Sequence, residues 1–335
     1  MGDMKTCLPP PVSLDEKEAE LSYRFGGSHQ CGWIDKLPPS WIPYVQLARL
    51  SPPAPLILIY FPHLFGVLHA AVKYQSPVIH VLKICGILLG GSLFFSNAAH
   101  AWNDLIDTPI DACCARTKNR PIARGAISPR AASIIAVSQA LMAASFLLFL
   151  IPSTAIATVP TIVATTYYPW SKRHTHFPQL VLGFCLAWGT IVGCAAVGAE
   201  QPWKDLSALC LVLESIFCTM IYDTVYSYQD IVDDVRIGVK STAVFFGNYT
   251  KLFLWACYGL MCVFIAIYGQ LAELGVGYYI IALGGSILSV GIMIACVDLR
   301  DGADCWKWFL SNSWSVGLPI VGGLVFEYVS KTNIM

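Results

Sequence analysis

The feature that most constrains this 335-residue chain is a succession of nine apolar runs, at about 54–72, 80–102, 131–151, 154–169, 179–199, 206–228, 243–269, 274–297 and 308–328. A helix that crosses a bilayer needs ~20 mostly apolar residues, so the runs predict nine crossings joined by short loops. Charge content agrees. Asp, Glu, Lys and Arg make up 13% of the chain, against about 25% in an ordinary soluble domain. Hydrophobic residues account for 56%, and the mean hydropathy is +0.60. The expected fold is therefore all-α, a polytopic membrane protein with a nine-transmembrane-helix bundle, and a soluble α/β enzyme is excluded. The lipid bilayer is the implied partner. A net charge of zero gives no reason to expect a polyanion such as nucleic acid. The 13 cysteines never form C-x-x-C, and most sit in apolar runs. They read as small packed hydrophobes rather than as a disulfide framework or a zinc site.

Residues 1–43 read as a mobile cytosolic tail, and residues 44–335 as one membrane domain. The tail carries the acidic stretch Asp15-Glu16-Lys17-Glu18 and lacks the apolar core of a signal peptide and the Arg-rich, acid-poor character of a transit peptide. Trp33, Trp41 and Tyr44 suit a membrane interface. The glycine pairs Gly90-Gly91, Gly284-Gly285 and Gly322-Gly323 suit close helix approach. Lys and Arg concentrate in the loops after the second, fourth, sixth and eighth runs. The positive-inside rule then places those loops and the N-terminus in the cytosol.

The polar chemistry lies on that side. At the end of the second run come Asn103, Asp107 and Asp111, with Asp104 beside them. Steps of four place side chains on one face of a helix. At the end of the sixth run come Tyr226, Asp230 and Asp234, again in steps of four, with Asp223 and Asp233 close by. The first cluster is followed by Arg116, Lys118 and Arg120, the second by Arg236 and Lys240; the loop between holds Lys172 and Arg173. Acids gathered at membrane helix ends repel and are costly to desolvate, so the pattern makes sense if a hard cation joins them. Mg²⁺ takes few carboxylates and fills its shell with phosphate oxygens and water, while Arg and Lys hold the remaining phosphate charge. The two clusters read as halves of a pseudo-repeat facing one Mg²⁺-bound diphosphate.

These motifs also carry a family resemblance. N-D-L-I-D-T-P-I-D (103–111) with A-R-T-K-N-R-P-I-A-R-G (115–125), and Y-D-T-V-Y-S-Y-Q-D-I-V-D-D-V-R-I-G-V-K-S-T (222–242), resemble the two aspartate motifs of the UbiA superfamily of membrane aromatic prenyltransferases. Y-V-Q-L-A-R-L-S-P-P (44–53), Y-P-W-S-K-R (168–173) and F-P-Q-L-V-L-G (177–183) are similar to its opening and middle segments. Within the family the chain looks most like 4-hydroxybenzoate polyprenyltransferases and fungal meroterpenoid prenyltransferases. The resemblance implies metal binding through Asn103, Asp107, Asp111, Asp230 and Asp234, and the first cluster itself adds Asp104. It implies diphosphate contacts from Arg120, Lys172, Arg173 and Lys240, to which the basic run after the first cluster adds Arg116 and Lys118, and it matches Asp223 and Tyr226, the expected catalytic pair, to the family's D-x-x-Y. Tyr226 stands where the family's looser D-x3-D-x3-D has an acid.

The implied reaction is Mg²⁺-dependent transfer of a prenyl group, with farnesyl diphosphate the leading donor, to a ring carbon of an orsellinic-type phenolic acid or aromatic polyketide. The expected location is the endoplasmic reticulum or a related endomembrane. A ubiquinone-type 4-hydroxybenzoate polyprenyltransferase is the alternative. A transporter is the alternative of another class, but its acids would sit near the bilayer midplane rather than at helix ends. Arg49 fits either interfacial snorkelling or a place near the substrate head group. His63, His69, His80 and His100 read as hydrogen-bonded core or interface residues. Tyr167, Tyr168, Trp170 and Trp188 fit a prenyl tunnel or ordinary membrane packing.

Overall fold

The computed structural model describes residues 32–51 and 53–331; residues 1–31, the greater part of the expected tail, lie outside the described residues. The longer helices are α1 (Ala54–Tyr74), α2 (Val78–Asp111), α3 (Pro129–Phe146), α4 (Pro152–His174), α5 (Pro178–Ala187), α6 (Gly189–Val197), α7 (Leu206–Ser227), α8 (Ile231–Ile237), α9 (Thr250–Leu271), α10 (Gly285–Cys296), α11 (Gly302–Ser315) and α12 (Gly317–Lys331). Among the described residues there is no strand. Sequence marks several starts. Ser128 caps α3 by accepting from Ala131 N at 3.2 Å, with Pro129 at the first helical position. Asp205 caps α7 by accepting from Ser207 N at 3.0 Å.

Seven helical stretches among the described residues are long and apolar enough to cross a membrane, and they coincide with seven of the nine expected runs. The other two runs are helical but fall short. The fourth is α4, of 23 residues, whose five threonines and terminal Lys172-Arg173-His174 dilute its apolarity. The ninth divides near Val316 into α11 and α12, of 14 and 15 residues. Large apolar side chains such as Ile79, Leu82, Ile134, Val137 and Leu141 are exposed on α2 and α3. Such a face is stable only in lipid, so the chain is an integral, multi-pass membrane protein.

The core runs along α1, α5–α6, α7 and α9, with Val67, Ile191, Leu211 and Met261 fully enclosed. Its tightest crossing is α1 on α6. A Cβ on Gly66 would stand 1.9 Å from Thr190 O, and one on Gly193 would stand 2.2 Å from His63 O. The paired glycines also lie at close approaches: a Cβ on Gly90 would meet the Phe146 ring at 2.3 Å, and one on Gly285 would meet Pro319 at 2.7 Å. At one end of the bundle, Asp205 accepts from Lys73 Nζ at 2.6 Å and lies 3.2 Å from His69 Nε2, which ties α7 to α1. The other end holds the acidic clusters. At about 1.5 Å per residue, the 34 residues of α2 extend roughly 51 Å. That exceeds a hydrocarbon core of about 30 Å, and the acids occupy its last turns.

Gly193→Ala is expected to lose at least about 1–3 kcal/mol of stability, because backbone sits where the methyl would go. Gly86→Ala, whose Cβ meets nothing within 4 Å, is expected to be neutral or slightly stabilising. Thermal unfolding of both variants in the same detergent checks the contrast.

Candidate active site

The acids of the first cluster lie on the last three turns of α2, as the spacing requires. Asp104, Asp107 and Asp111 are 2%, 1% and 4% exposed, so each needs a counter-charge. Arg120 supplies one. Its NH1 donates to Asp104 Oδ1 at 3.2 Å and to both Asp111 oxygens at 3.0 and 2.9 Å. Lys172, on the last turn of α4, donates to Asp107 Oδ2 at 2.6 Å, and Arg173 to Asp107 Oδ1 at 3.3 Å.

The second cluster is not on one continuous α-helix. α7 ends at Ser227, a 3-10 turn spans Tyr228–Asp230, and α8 follows. The tighter turn falls between Tyr226 and Asp230 and rotates Tyr226 relative to the two acids. Asp230 is gripped by both Arg116 Nε, at 2.7 Å, and Arg116 NH2. Arg116 NH1 donates to the Tyr226 hydroxyl at 2.9 Å, with its guanidinium carbon 5.0 Å from that ring's centre. Asp234 is 7% exposed and forms no ion pair among the described residues. Asp233 faces away: it accepts from Ala115 N at 2.8 Å and from Arg236 at 2.7 Å.

Both clusters line one cavity of about 280 Å³. Asn103, Asp104, Asp107, Asp111, Arg116, Arg120, Lys172, Asp223, Tyr226, Asp230, Asp234 and Lys240 all lie on its wall, whereas Lys118 and Arg173 do not. Arg173 stands behind Asp107, donating also to Pro169 O and Ile106 O. Arg49 is part of the site. It lines the cavity, and its NH2 donates to Asp104 Oδ1 at 2.7 Å. Its backbone is held at φ 50°, the left-handed region a non-glycine residue rarely occupies. Nothing local in the sequence signals that contact, because the partner is 55 positions away. His100 also reaches the wall, but its Nδ1 lies 2.7 Å from Ser96 O within its own helix. Of the aromatic residues named above, Tyr168 faces the cavity, beneath Lys172 Nζ at 5.3 Å from the ring centre. Trp170 packs on Trp102, and Trp188 on Phe184.

Electrostatics follow from this packing. Burial lowers the Arg116 and Arg120 pKa values, but Asp230 beside the first and Asp111 and Asp104 beside the second outweigh it and push both up. Both guanidiniums therefore stay charged. Burial, reinforced by Asp230, raises the Cys114 thiol above its usual range, so the cavity's thiol beside Arg116 remains protonated. Among the described residues no three His, Cys, Asp or Glu side chains converge as a ready metal site, because the bases stand between the acids. The donor chemistry nevertheless fits a hard cation that keeps phosphate and water ligands. The Asn103 amide oxygen is buried without a partner, and the wall's carboxylates are oxygen donors.

Residues 59–316 match the UbiA prenyltransferase family. The chain is 32% identical to the mitochondrial 4-hydroxybenzoate polyprenyltransferase of Schizosaccharomyces pombe, covering 90% of this chain and 84% of that protein. It is 30% identical to the prenyltransferase stbC of Stachybotrys bisbyi, covering 92% and 93%. Its fold matches a UbiA homolog from Archaeoglobus fulgidus bound to GPP and Mg²⁺, with a TM-score of 0.65 at 15% identity, covering 85% of this chain and 99% of that one. The chain belongs to the UbiA prenyltransferase family and is an aromatic prenyltransferase.

Arg120→Ala would leave Asp104 and Asp111 buried with too little counter-charge. It is expected to cost about 3–5 kcal/mol of stability, and Asp111→Asn in the same chain should restore part of it. A double-mutant cycle of unfolding midpoints checks this.

Proposed function

We propose that the protein transfers a farnesyl-class prenyl group from its diphosphate to a ring carbon of a phenolic acid or aromatic polyketide of the orsellinic type. The observation that carries the reading is the convergence of both acidic clusters and the cations Arg116, Arg120, Lys172 and Lys240 on one cavity. The family resemblance supports the choice of donor and acceptor. Mg²⁺ held through Asn103, Asp104, Asp107, Asp111, Asp230 and Asp234 would neutralise the diphosphate and improve it as a leaving group. The bound GPP and Mg²⁺ named for the Archaeoglobus homolog support that assignment.

In this reading Lys172 and Lys240 hold diphosphate oxygens and stabilise the charge that develops as the allylic C–O bond breaks. Arg116 and Arg120 keep the carboxylates oriented, and Arg173 fixes Asp107 from behind. Lys118, expected among the diphosphate residues from the basic run it belongs to, stands off the cavity wall. The Tyr226 ring, 4.6 Å from Phe309, offers a π face to the cation. The phenol ring captures the allylic cation at carbon. Asp223, on the same wall, orients the acceptor hydroxyl or takes the proton that leaves. Enclosure within the bundle limits quenching by water.

The second reading, 4-hydroxybenzoate as acceptor with a longer polyprenyl donor, is favoured by the name of the Schizosaccharomyces relative. We place all nine runs across the membrane, α4 and the α11–α12 pair included, with residues 44–335 as one domain. The basic loops face the cytosol of an endomembrane such as the endoplasmic reticulum, where soluble diphosphates reach the cavity.

EDTA is expected to abolish turnover by the purified protein and Mg²⁺ to restore it. Asp107→Ala and Asp230→Ala should each lose at least ~100-fold in rate, and the double variant should be little worse than either. Near-native rates in either variant would remove the two-cluster mechanism. Cysteine-accessibility mapping is expected to find positions 104–130 and 230–242 open to cytosolic reagent; lumenal labelling would reverse the orientation.

A further inference from the structure

A second cavity, of about 340 Å³, continues from the acidic one, and the two share Ile59, Phe95, Ala99, Thr165, Cys185 and Leu186 as lining. It lies between α3 and α4 with α2 as its floor, and its surface is overwhelmingly apolar. Thr158, Thr161 and Thr166 donate their hydroxyls to the carbonyls of Thr154, Cys185 and Ile162, which leaves their methyls to the cavity. Phe146, Leu147 and Leu150, where α3 turns toward α4, line its far end. The Phe146 ring rests on the Gly90-Gly91 step of α2 and stands 5.7 Å from Phe94. With any side chain at Gly90 the ring could not seat there. Along α2, Gly91 is 12 residues before Asn103, roughly 18 Å at about 1.5 Å per residue. That run suits an extended farnesyl chain whose diphosphate lies among the acids.

We infer that Phe146, seated on Gly90-Gly91, is the stop that sets the length of the prenyl chain this protein accepts. The inference rests on the prenyltransferase reading above. It assigns length selection to a side chain at the end of the apolar cavity, remote from every charged residue of the site. A chain shorter than the run leaves apolar wall uncovered. A longer one meets the aromatic ring and must bend out between α3 and α4. Ala143, three residues before Phe146 and on the same cavity wall, projects one turn nearer the acids. A large side chain there is a stop placed closer.

The test uses the full-length protein in detergent with Mg²⁺ and unreactive thiolodiphosphate analogues of geranyl, farnesyl and geranylgeranyl donors, with affinity read by calorimetry. Phe146→Ala is expected to shift the ratio of geranylgeranyl to farnesyl affinity upward by at least about tenfold, the scale of discrimination that a hydrophobic pocket achieves. Phe146→Leu, which keeps more of the packing, should shift it in the same direction by less. Ala143→Phe should move preference the other way, toward the geranyl analogue. If wild type binds the analogues and none of the three variants changes the ratios, Phe146 is not the stop and the prenyltransferase reading still stands. If wild type binds no isoprenyl analogue, both are overturned.

Discussion

The structure depends on one electrostatic constraint: several carboxylates must be held together inside the end of a membrane bundle. Buried acids separated by a few ångströms repel strongly, and each loses its hydration. Arg116 and Arg120 meet the constraint from one short loop. Arg120 turns back onto Asp104 and Asp111 of the helix before it, while Arg116 crosses to Asp230 of the other cluster. The loop after α2 thereby fastens the two clusters around one space. Such pairs add little net stability over apolar packing. What they provide here is position: Asp104, Asp111 and Asp230 are oriented before any ligand arrives.

The rest of the bundle serves that end. α2 is longer than a bilayer core requires: its last turns carry the acids while its middle floors the apolar cavity. α1 and α6 approach so closely at Gly66 and Gly193 that their relative placement is fixed. Asp205, His69 and Lys73 fasten α1 to α7 at the opposite end. The opposing ends therefore use the same device, an acid paired with a cation from another segment of the chain.

Much of this was legible in the sequence, and the remainder fails for identifiable reasons. The first cluster could be read because Asn103 to Asp111 lie on unbroken helix, where a step of four has a fixed meaning. The same spacing in the second cluster passes through a 3-10 turn between Tyr226 and Asp230, so Tyr226 is rotated off the line of the two acids although all three reach the cavity. Arg49 stayed undecided because an arginine at a membrane entry has an ordinary interfacial use, and its contact with Asp104 exists only after folding. The same holds for Gly66 and Gly193, which are single glycines with partners far along the chain. Lys118 and Arg173 show the converse: neighbours of site residues in sequence, neither lines the cavity, and Arg173 reaches the site only through Asp107. Run lengths marked helices well, but α4 and the divided last run show that an apolar stretch does not guarantee one long apolar helix.

The charge balance of the cavity bears directly on how a diphosphate can occupy it. Six carboxylates line the wall (Asp104, Asp107, Asp111, Asp223, Asp230 and Asp234) against five cationic side chains, Arg49, Arg116, Arg120, Lys172 and Lys240. With every group ionised the wall is close to neutral, with a slight negative excess. A diphosphate entering alone would add negative charge to a low-dielectric space whose cations are largely committed to carboxylates, and the repulsion would go uncompensated. A diphosphate accompanied by a divalent cation brings its own compensation and offers the unpartnered Asn103 oxygen and the unpaired Asp234 a positive partner. A merely basic phosphate pocket would have been built without the acids. Their presence among the cations is therefore the physical argument for the proposed joint binding of diphosphate and metal.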